Sequence, residues 1–236
     1  MAVAVDIKAL LAAGAHFGHK TSRWHPKMAQ YIHSKRNGSH IIDLTKTVEG
    51  LEKALPFVTE TVAKGKQILF VGTKRQAKEI LHAAAVEAGM PFVTERWLGG
   101  MLTNVKTTTE RIKHLKMLET RMAAGELAAR YNKLEVQRFQ EEIDALNLKY
   151  GGIKDLNGQP GAVFVVDMVE DKNAVAEARR LNIPVVAIAD SNANPTLADY
   201  VIPANDDALK TLQLISGYVV QAVAEGKAGR KTEDKK

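Results

Sequence analysis

Gln67-Ile68-Leu69-Phe70-Val71-Gly72-Thr73-Lys74-Arg75 decides how this chain reads. Ile68 to Val71 is an unbroken apolar run, too short for a buried helix, and Gly72 stops it. A strand with no polar alternation needs both sheet faces covered, as in a parallel sheet clad by helices. Ala77, Ile80, Leu81 and Ala84 then recur at helical spacing, so the unit is strand, turn, helix, with the helix expected from Lys74-Arg75. The pattern returns. Phe92-Val93-Thr94 follows the turn Gly89-Met90-Pro91. Ala162 to Val166 ends at Asp167 and precedes a helix over 173–181. Val185 to Ala189 ends at Asp190. Tyr200 to Pro203 comes last, before a long helix capped by Asn205 with Leu209, Leu212, Ile215, Val219 and Val223 inward. Upstream, a helix capped by Thr45 or Thr47 runs to about Ala63 and presents Leu51, Leu55, Val58 and Val62. Five strands alternating with helices predict a three-layer α/β fold around a parallel five-stranded sheet, in the flavodoxin-like order 2-1-3-4-5.

A strand–glycine–helix junction aims backbone N–H groups outward, and Lys74 and Arg75 reinforce it as an anion site. The glycine spacing of a nucleotide P-loop is missing, which excludes an ATPase of that type. One reading is therefore an enzyme or sensor that binds a nucleotide or sugar phosphate in a pocket around Gly72, Asp167 and Asp190, since ligands of this fold sit at the carboxyl edge of the sheet.

The alternation breaks at Arg96-Trp97-Leu98-Gly99-Gly100-Met101-Leu102-Thr103-Asn104, where a cation, an indole and a glycine pair adjoin. Beyond it, Ile112, Leu115, Leu118 and Met122, then Tyr131, Leu134, Phe139, Ile143 and Leu146, mark two charged helices with thin apolar seams on either side of Gly125. They predict an antiparallel, coiled-coil-like hairpin inserted between the second and third core strands. The expected organisation is an N-terminal helix, basic loop and β-hairpin over 1–44, a core over 45–104 and 151–226, the inserted hairpin over 105–150, and a disordered basic tail over 227–236.

Of 236 residues, 33 are Lys or Arg and 27 are Asp or Glu, a balance of +6 that suits a polyanionic partner. Cysteine is absent, which removes disulfides and thiolate metal sites. No apolar run is long enough to span a bilayer, so no membrane role is expected. Charge is concentrated at the start. Residues 1–40 hold six cations against one acid, Asp6, and five of the seven histidines. A short helix over Asp6 to Ala13, ended by Gly14, leads into His16-Phe17-Gly18-His19-Lys20 and Arg23-Trp24-His25-Pro26-Lys27-Met28, read as an irregular loop. Tyr31-Ile32-His33 and His40 to Leu44 flank the turn Lys35-Arg36-Asn37-Gly38 as a hairpin. Cations interleaved with rings suit RNA, the cations on phosphates and the rings on exposed bases. Lys20, Arg23, Lys27, Arg36, Asn37, Lys74, Arg75, Arg96, Thr103, Asn104, Lys106, Arg111 and Lys113 are the candidate RNA contacts. Trp24 and Trp97 either stack on RNA or brace their loops. Asp190, Asp206 and Asp207, with His19 folded across, form a candidate site for a divalent ion, Zn²⁺ or Mg²⁺; helix capping by the two later acids and a turn at Asp190 explain the same residues without one.

Read in order, Ala15-His16-Phe17-Gly18-His19, Arg23-Trp24 with Pro26-Lys27-Met28, Arg36-Asn37-Gly38 with His40 to Leu44, Leu69 to Arg75, Arg96 to Asn104, Gly151-Gly152-Ile153-Lys154, Phe164 to Asp167 and Asn205-Asp206-Asp207-Ala208 resemble the bacterial second-protein family of the small ribosomal subunit. The resemblance covers nearly the whole chain; the second hairpin helix, about 128–148, diverges most. It implies a structural, non-catalytic constituent of the small subunit in a cytoplasmic or organellar ribosome, with no required cofactor and no homo-oligomer. It also implies binding of small-subunit ribosomal RNA, contact with neighbouring ribosomal proteins, and docking of the large messenger-binding protein one during translation.

Overall fold

The computed structural model describes residues 5–233. Asp6 caps the first helix, α1 (Ile7–Ala13), by accepting from the Lys8 N–H at 2.8 Å, and Gly14 ends it in the left-handed region at φ 81°. The segment expected to be an irregular loop contains a strand, β1 (Phe17–Lys20), followed by 3₁₀ turns at Thr21–Arg23 and Pro26–Tyr31. Next come β2 (Ile32–Arg36) and β3 (Ser39–Ile42). Asn37 and Gly38 join them with φ of 49° and 76°, the positive pair that a two-residue hairpin turn requires. All three strands form one antiparallel sheet in the order β1-β3-β2. β1 escapes sequence reading because four residues carry no clear period; its pairing of Phe17 with Ile41 and Lys20 with Ser39 is non-local.

The long helix α2 (Leu44–Ala63) starts one residue before the first of the caps expected. Asp43 is the cap, its carboxylate accepting from the Thr45 N–H at 2.9 Å. Thr47 is buried instead, and its hydroxyl donates to the Pro203 carbonyl. Then come β4 (Ile68–Val71), α3 (Lys78–Ala88) and β5 (Phe92–Val93). α3 begins four residues later than expected, because Thr73 and Lys74 are held by carboxylates from elsewhere in the chain. The inserted segment comprises α4 (Val105–Ala123), α5 (Glu126–Arg130) and α6 (Lys133–Tyr150), one short helix more than expected. Asn132 and Glu135 form a reciprocal capping box that starts α6. Among the described residues, only Leu115, Leu118 and Ile143 form the buried centre between the long helices, so the seam is as thin as its sequence suggests. β6 (Ala162–Val165), α7 (Lys172–Arg180), β7 (Val185–Ala189), β8 (Tyr200–Pro203) and α8 (Leu209–Glu233) complete the chain.

The five core strands run parallel in the order β5-β4-β6-β7-β8, which is 2-1-3-4-5 counted along the core. Their side chains alternate between two apolar layers. Ile68, Phe70, Phe164, Val186 and Ile202 pack with α2, α3 and α8. Leu69, Val71, Val163, Val165 and Ala187 pack with α7, Trp97, Met101, Leu102 and Ile153. The break in the alternation is thus itself a layer: the Arg96-to-Asn104 loop covers what a second long helix would otherwise cover. Phe70 and Phe164 meet edge to face across neighbouring strands at 5.5 Å, a favoured aromatic geometry.

Two expectations at the end of the chain need correction. Asn205 does not cap α8 directly; its side chain accepts from the Asp207 N–H at 2.8 Å in a turn ahead of the helix, and Leu209 faces solvent. The expected tail from 227 continues α8 to Glu233, with residues 234–236 outside the described range. Lys227 supplies one reason, since its ammonium donates to the Ala88 carbonyl at the end of α3, a C-terminal position where a cation is favoured.

Candidate nucleic-acid interface

The N-terminal sheet is latched over the carboxyl edge of the core sheet. The His19 N–H donates to Asp190 Oδ1 at 3.1 Å and to Ser191 Oγ at 2.9 Å, and the His25 N–H donates to the Ser191 carbonyl at 2.7 Å. The approach is close enough to require Gly18: a Cβ there would sit 2.9 Å from Ser191 Oγ and 3.2 Å from the His40 carbonyl oxygen. His19 Nδ1 lies 3.0 Å from Asp190 Oδ2, and Nε2 lies 3.6 Å from Asp207. The hydrogen bond and charge of Asp190 outweigh burial and raise the His19 pKa above that of an ordinary histidine. Lys27 crosses to Thr196 Oγ1 at 3.1 Å.

Beneath this latch the edge is filled by the chain's own ions. The Lys74 ammonium sits 2.6 Å from Asp206, 2.6 Å from Asp207 and 3.1 Å from Asp167. Burial pulls its pKa down, but the carboxylates outweigh burial and hold it above the ordinary lysine value. Burial, with Asp167 and Asp190 nearby, pushes the Asp206 carboxyl up to about 7 in spite of Lys74. The Gly72 turn is likewise occupied from within. Asp171 accepts from the Thr73 N–H at 3.1 Å and the Thr73 hydroxyl at 2.9 Å, while burial raises its carboxyl to about 6. The Thr73 amide is therefore already taken. The widest cavity described, 730 Å³, lies at the amino ends of the strands, by Gly65, Lys66 and Gly89. The place where a phosphate-binding enzyme or sensor would have its pocket, around Gly72, Asp167 and Asp190, is spanned by these internal ion pairs and hydrogen bonds.

A carboxyl whose folded pKa exceeds its unfolded one contributes stability that is fully present below the unfolded value and lost as pH rises through the folded value. For Asp206 that window runs from 3.8 to about 7. Asp206→Asn is expected to flatten the fall in stability across it by up to about 1.4 kcal/mol per pH unit. Urea denaturation at a series of pH values checks this; an unaltered slope would mean that Asp206 titrates normally in the folded chain.

The other candidates divide by exposure. Lys20, Arg23, Arg36, Asn37, Arg75, Arg96, Thr103, Asn104, Lys106, Arg111 and Lys113 are exposed, as is Lys27 apart from its bond to Thr196. Arg75 follows β4, Arg96 follows β5, and Arg23 lies in the element latched beyond β7, so these three share the carboxyl end of the sheet. Lys106, Arg111 and Lys113 are carried away on α4. The two tryptophans part company. Trp24 is 37% exposed, with His40 5.2 Å from its ring and the Lys35 ammonium 5.8 Å from its centroid. Trp97 is 7% exposed and its Nε1 donates to Glu177 at 3.0 Å, so it braces its loop. Of the metal candidates, His19, Asp206 and Asp207 bring ligand atoms within 4.8 Å of one another, but the Lys74 ammonium already bonds both acids. Sequence reading missed Asp167, Asp171 and Glu177 as partners, because nothing local marks a carboxylate whose donors lie 74 to 98 positions away.

Among the described residues no helix is long and apolar enough to cross a membrane. The family model described as Ribosomal protein S2 matches residues 10–226. The chain is 48% identical over 228 residues to the small ribosomal subunit protein uS2 of Roseiflexus sp. (strain RS-1), covering 97% of this chain and 87% of that protein. It is 48% identical over 229 residues to uS2 of Dehalococcoides mccartyi (strain CBDB1), covering 97% and 93%, and 47% identical over 229 residues to uS2 of Thermus thermophilus, covering 97% and 89%. Likeness of this extent along almost the whole length has one reading: the chain belongs to the ribosomal protein S2 family, whose members are structural constituents of the small ribosomal subunit and not enzymes.

Proposed function

We propose that the chain is a rigid scaffold that grips small-subunit ribosomal RNA through exposed cations at the carboxyl end of its sheet. One observation carries this reading. Arg23, Arg36, Arg75 and Arg96 are exposed and, among the described residues, form no ion pair, while Lys74, one residue from Arg75, is consumed by the chain's own carboxylates. Guanidinium groups left without an internal acid suit phosphate. Trp24, partly exposed beside Lys35, supplies a stacking surface, and Lys20, Lys27, Asn37, Thr103, Asn104, Lys106, Arg111 and Lys113 extend the contact. Lys74 and Trp97 serve it indirectly by fixing the edge and the loop. Residues 1–44 and 105–150 act as appendages on a core of 45–104 and 151–226. The appendages also meet neighbouring ribosomal proteins, among them the large messenger-binding protein one. Exposed Met117, Leu134 and Leu148 on the inserted helices are suited to protein contact. The reading needs no metal at His19, Asp190, Asp206 and Asp207, since Lys74 already supplies positive charge there.

The test is incorporation into small-subunit particles over a salt series. Arg23→Ala with Arg96→Ala is expected to weaken incorporation and to lower the slope of log affinity against log salt by about one for each phosphate left without its arginine. Undiminished incorporation at raised salt would reject both residues as RNA contacts.

A further inference from the structure

Glu177 projects from α7 into the Arg96-to-Asn104 loop, and five donors of that loop converge on its carboxylate. Oε1 accepts from Trp97 Nε1 at 3.0 Å and from the Gly100 N–H at 2.7 Å. Oε2 accepts from the Leu102 N–H at 3.0 Å, the Thr103 N–H at 3.1 Å and the Thr103 hydroxyl at 3.1 Å. Among the described residues Glu177 has no ion pair with a lysine, arginine or histidine, so its charge is met by these dipoles alone. Gly100 takes a φ of 86°, a left-handed step that lets N–H groups on both sides of it turn toward one point. Successive backbone N–H groups aimed at a common point form a nest for an anion. Below the loop, Trp97, Met101 and Leu102 are buried in the core layer. With three side chains held in the core and the amides held by Glu177, Arg96 and Asn104 face outward.

We infer that the Arg96-to-Asn104 loop is an anion nest whose anion is built into the chain as Glu177, and that this carboxylate is a positioning residue for the RNA-facing side of the loop. The second half rests on the proposed RNA reading; the first half does not. Asp171 acts in parallel at the other end of the same segment, filling the Gly72 turn through Thr73. Both loops that leave the paired strands β4 and β5 are therefore held by acids of one segment, Asp171 and Glu177, which occupy the Thr73, Gly100, Leu102 and Thr103 amides. The spacing of the side chains that face RNA is then set by Glu177. Burial pushes the Glu177 carboxyl up, but the hydrogen bonds from Trp97, Gly100, Thr103 and Leu102 outweigh it and hold it below the ordinary value. A depressed carboxyl contributes stability that is present above its unfolded pKa and lost as pH falls through the folded one, so the loop stays set at neutral pH.

The test compares wild type, Glu177→Gln, Glu177→Ala and Arg96→Ala in the full chain. Glutamine preserves the shape but in either orientation turns an N–H₂ toward donors, those of Trp97 and Gly100 or those of Leu102 and Thr103, so it should fail despite being nearly isosteric. The expected result is amide hydrogen exchange at Gly100, Leu102 and Thr103 faster by about tenfold or more in both Glu177 variants. In Glu177→Ala, acetate should slow that exchange again relative to chloride at equal ionic strength, because it refills the nest. Both variants should weaken incorporation into small-subunit particles as much as Arg96→Ala does, while Arg96→Ala leaves the amides protected. Unchanged exchange in both Glu177 variants, or no difference between acetate and chloride, would overturn the nest. Faster exchange with full incorporation, while Arg96→Ala is impaired, would overturn the positioning role alone. Full incorporation of all three variants would overturn the RNA reading of this loop and leave the nest standing.

Discussion

Lys74→Met is expected to lower the stability of the chain by about 3–5 kcal/mol at pH 8, the range for removing one partner of a buried charge pair. Methionine nearly matches the lysine stem in length, so the loss comes from charge. Asp167 is 5% and Asp206 1% exposed, and both lose the ammonium that compensates them. Water replaces it poorly at that depth. The loss shrinks as the pH is lowered, because Asp206, already raised to about 7 with lysine present, takes up a proton and stops needing a counter-charge. Urea denaturation of both proteins at pH 8 and pH 5 measures the difference. A loss under about 1 kcal/mol at pH 8, or one independent of pH, would mean that solvent reaches the cluster and screens it.

Gly50→Ala is expected to destabilise by about 2–3 kcal/mol, against the sign that the helix alone predicts. Alanine in the middle of α2 gains about 1 kcal/mol of intrinsic helix preference over glycine. At this position the added Cβ would stand 2.4 Å from the Val201 carbonyl oxygen, 3.2 Å from Pro203 Cδ and 3.3 Å from Ile202 Cα. Its obstacle is backbone of β8, which is itself paired to β7 and cannot step aside as a side-chain tip would. The helix must lift, and lifting it opens the packing of Leu51, Ala54 and Val58 beneath. Thermal denaturation reads the sign directly. A raised midpoint would show that α2 slides on β8 at little cost.

These two substitutions mark the limit of local reading. The sheet was legible because each core strand is an apolar run closed by a glycine, an acid or a proline, and covered strands of that length have few other arrangements. The helices were legible from spacing, and the arm between the second and third strands from its thin seam. β1 was not, since its pairing depends on Ile41 and Ser39 beyond a hairpin. The start of α3 slipped because a distant acid, Asp171, captured Thr73 first. Within the candidate interface the exposed arginines of the N-terminal element were legible as cations set among aromatic rings, whereas the fate of Lys74 was not.

By itself, the order of residues determined the strand succession, the parallel sheet and the concentration of positive charge at the N-terminus, because those follow from hydrophobic period, turn chemistry and composition. Only the tertiary structure decided which of two adjacent cations faces outward, which of two tryptophans is a brace, and that Glu177 holds the glycine loop. Each decision turns on a pairing across the fold: Lys74 with Asp206 at 132 positions, Trp97 with Glu177 at 80, His19 with Asp190 at 171. A charge or an indole carries no local sign of the partner that will bury it, and that partner exists only once the sheet has brought the loop ends together.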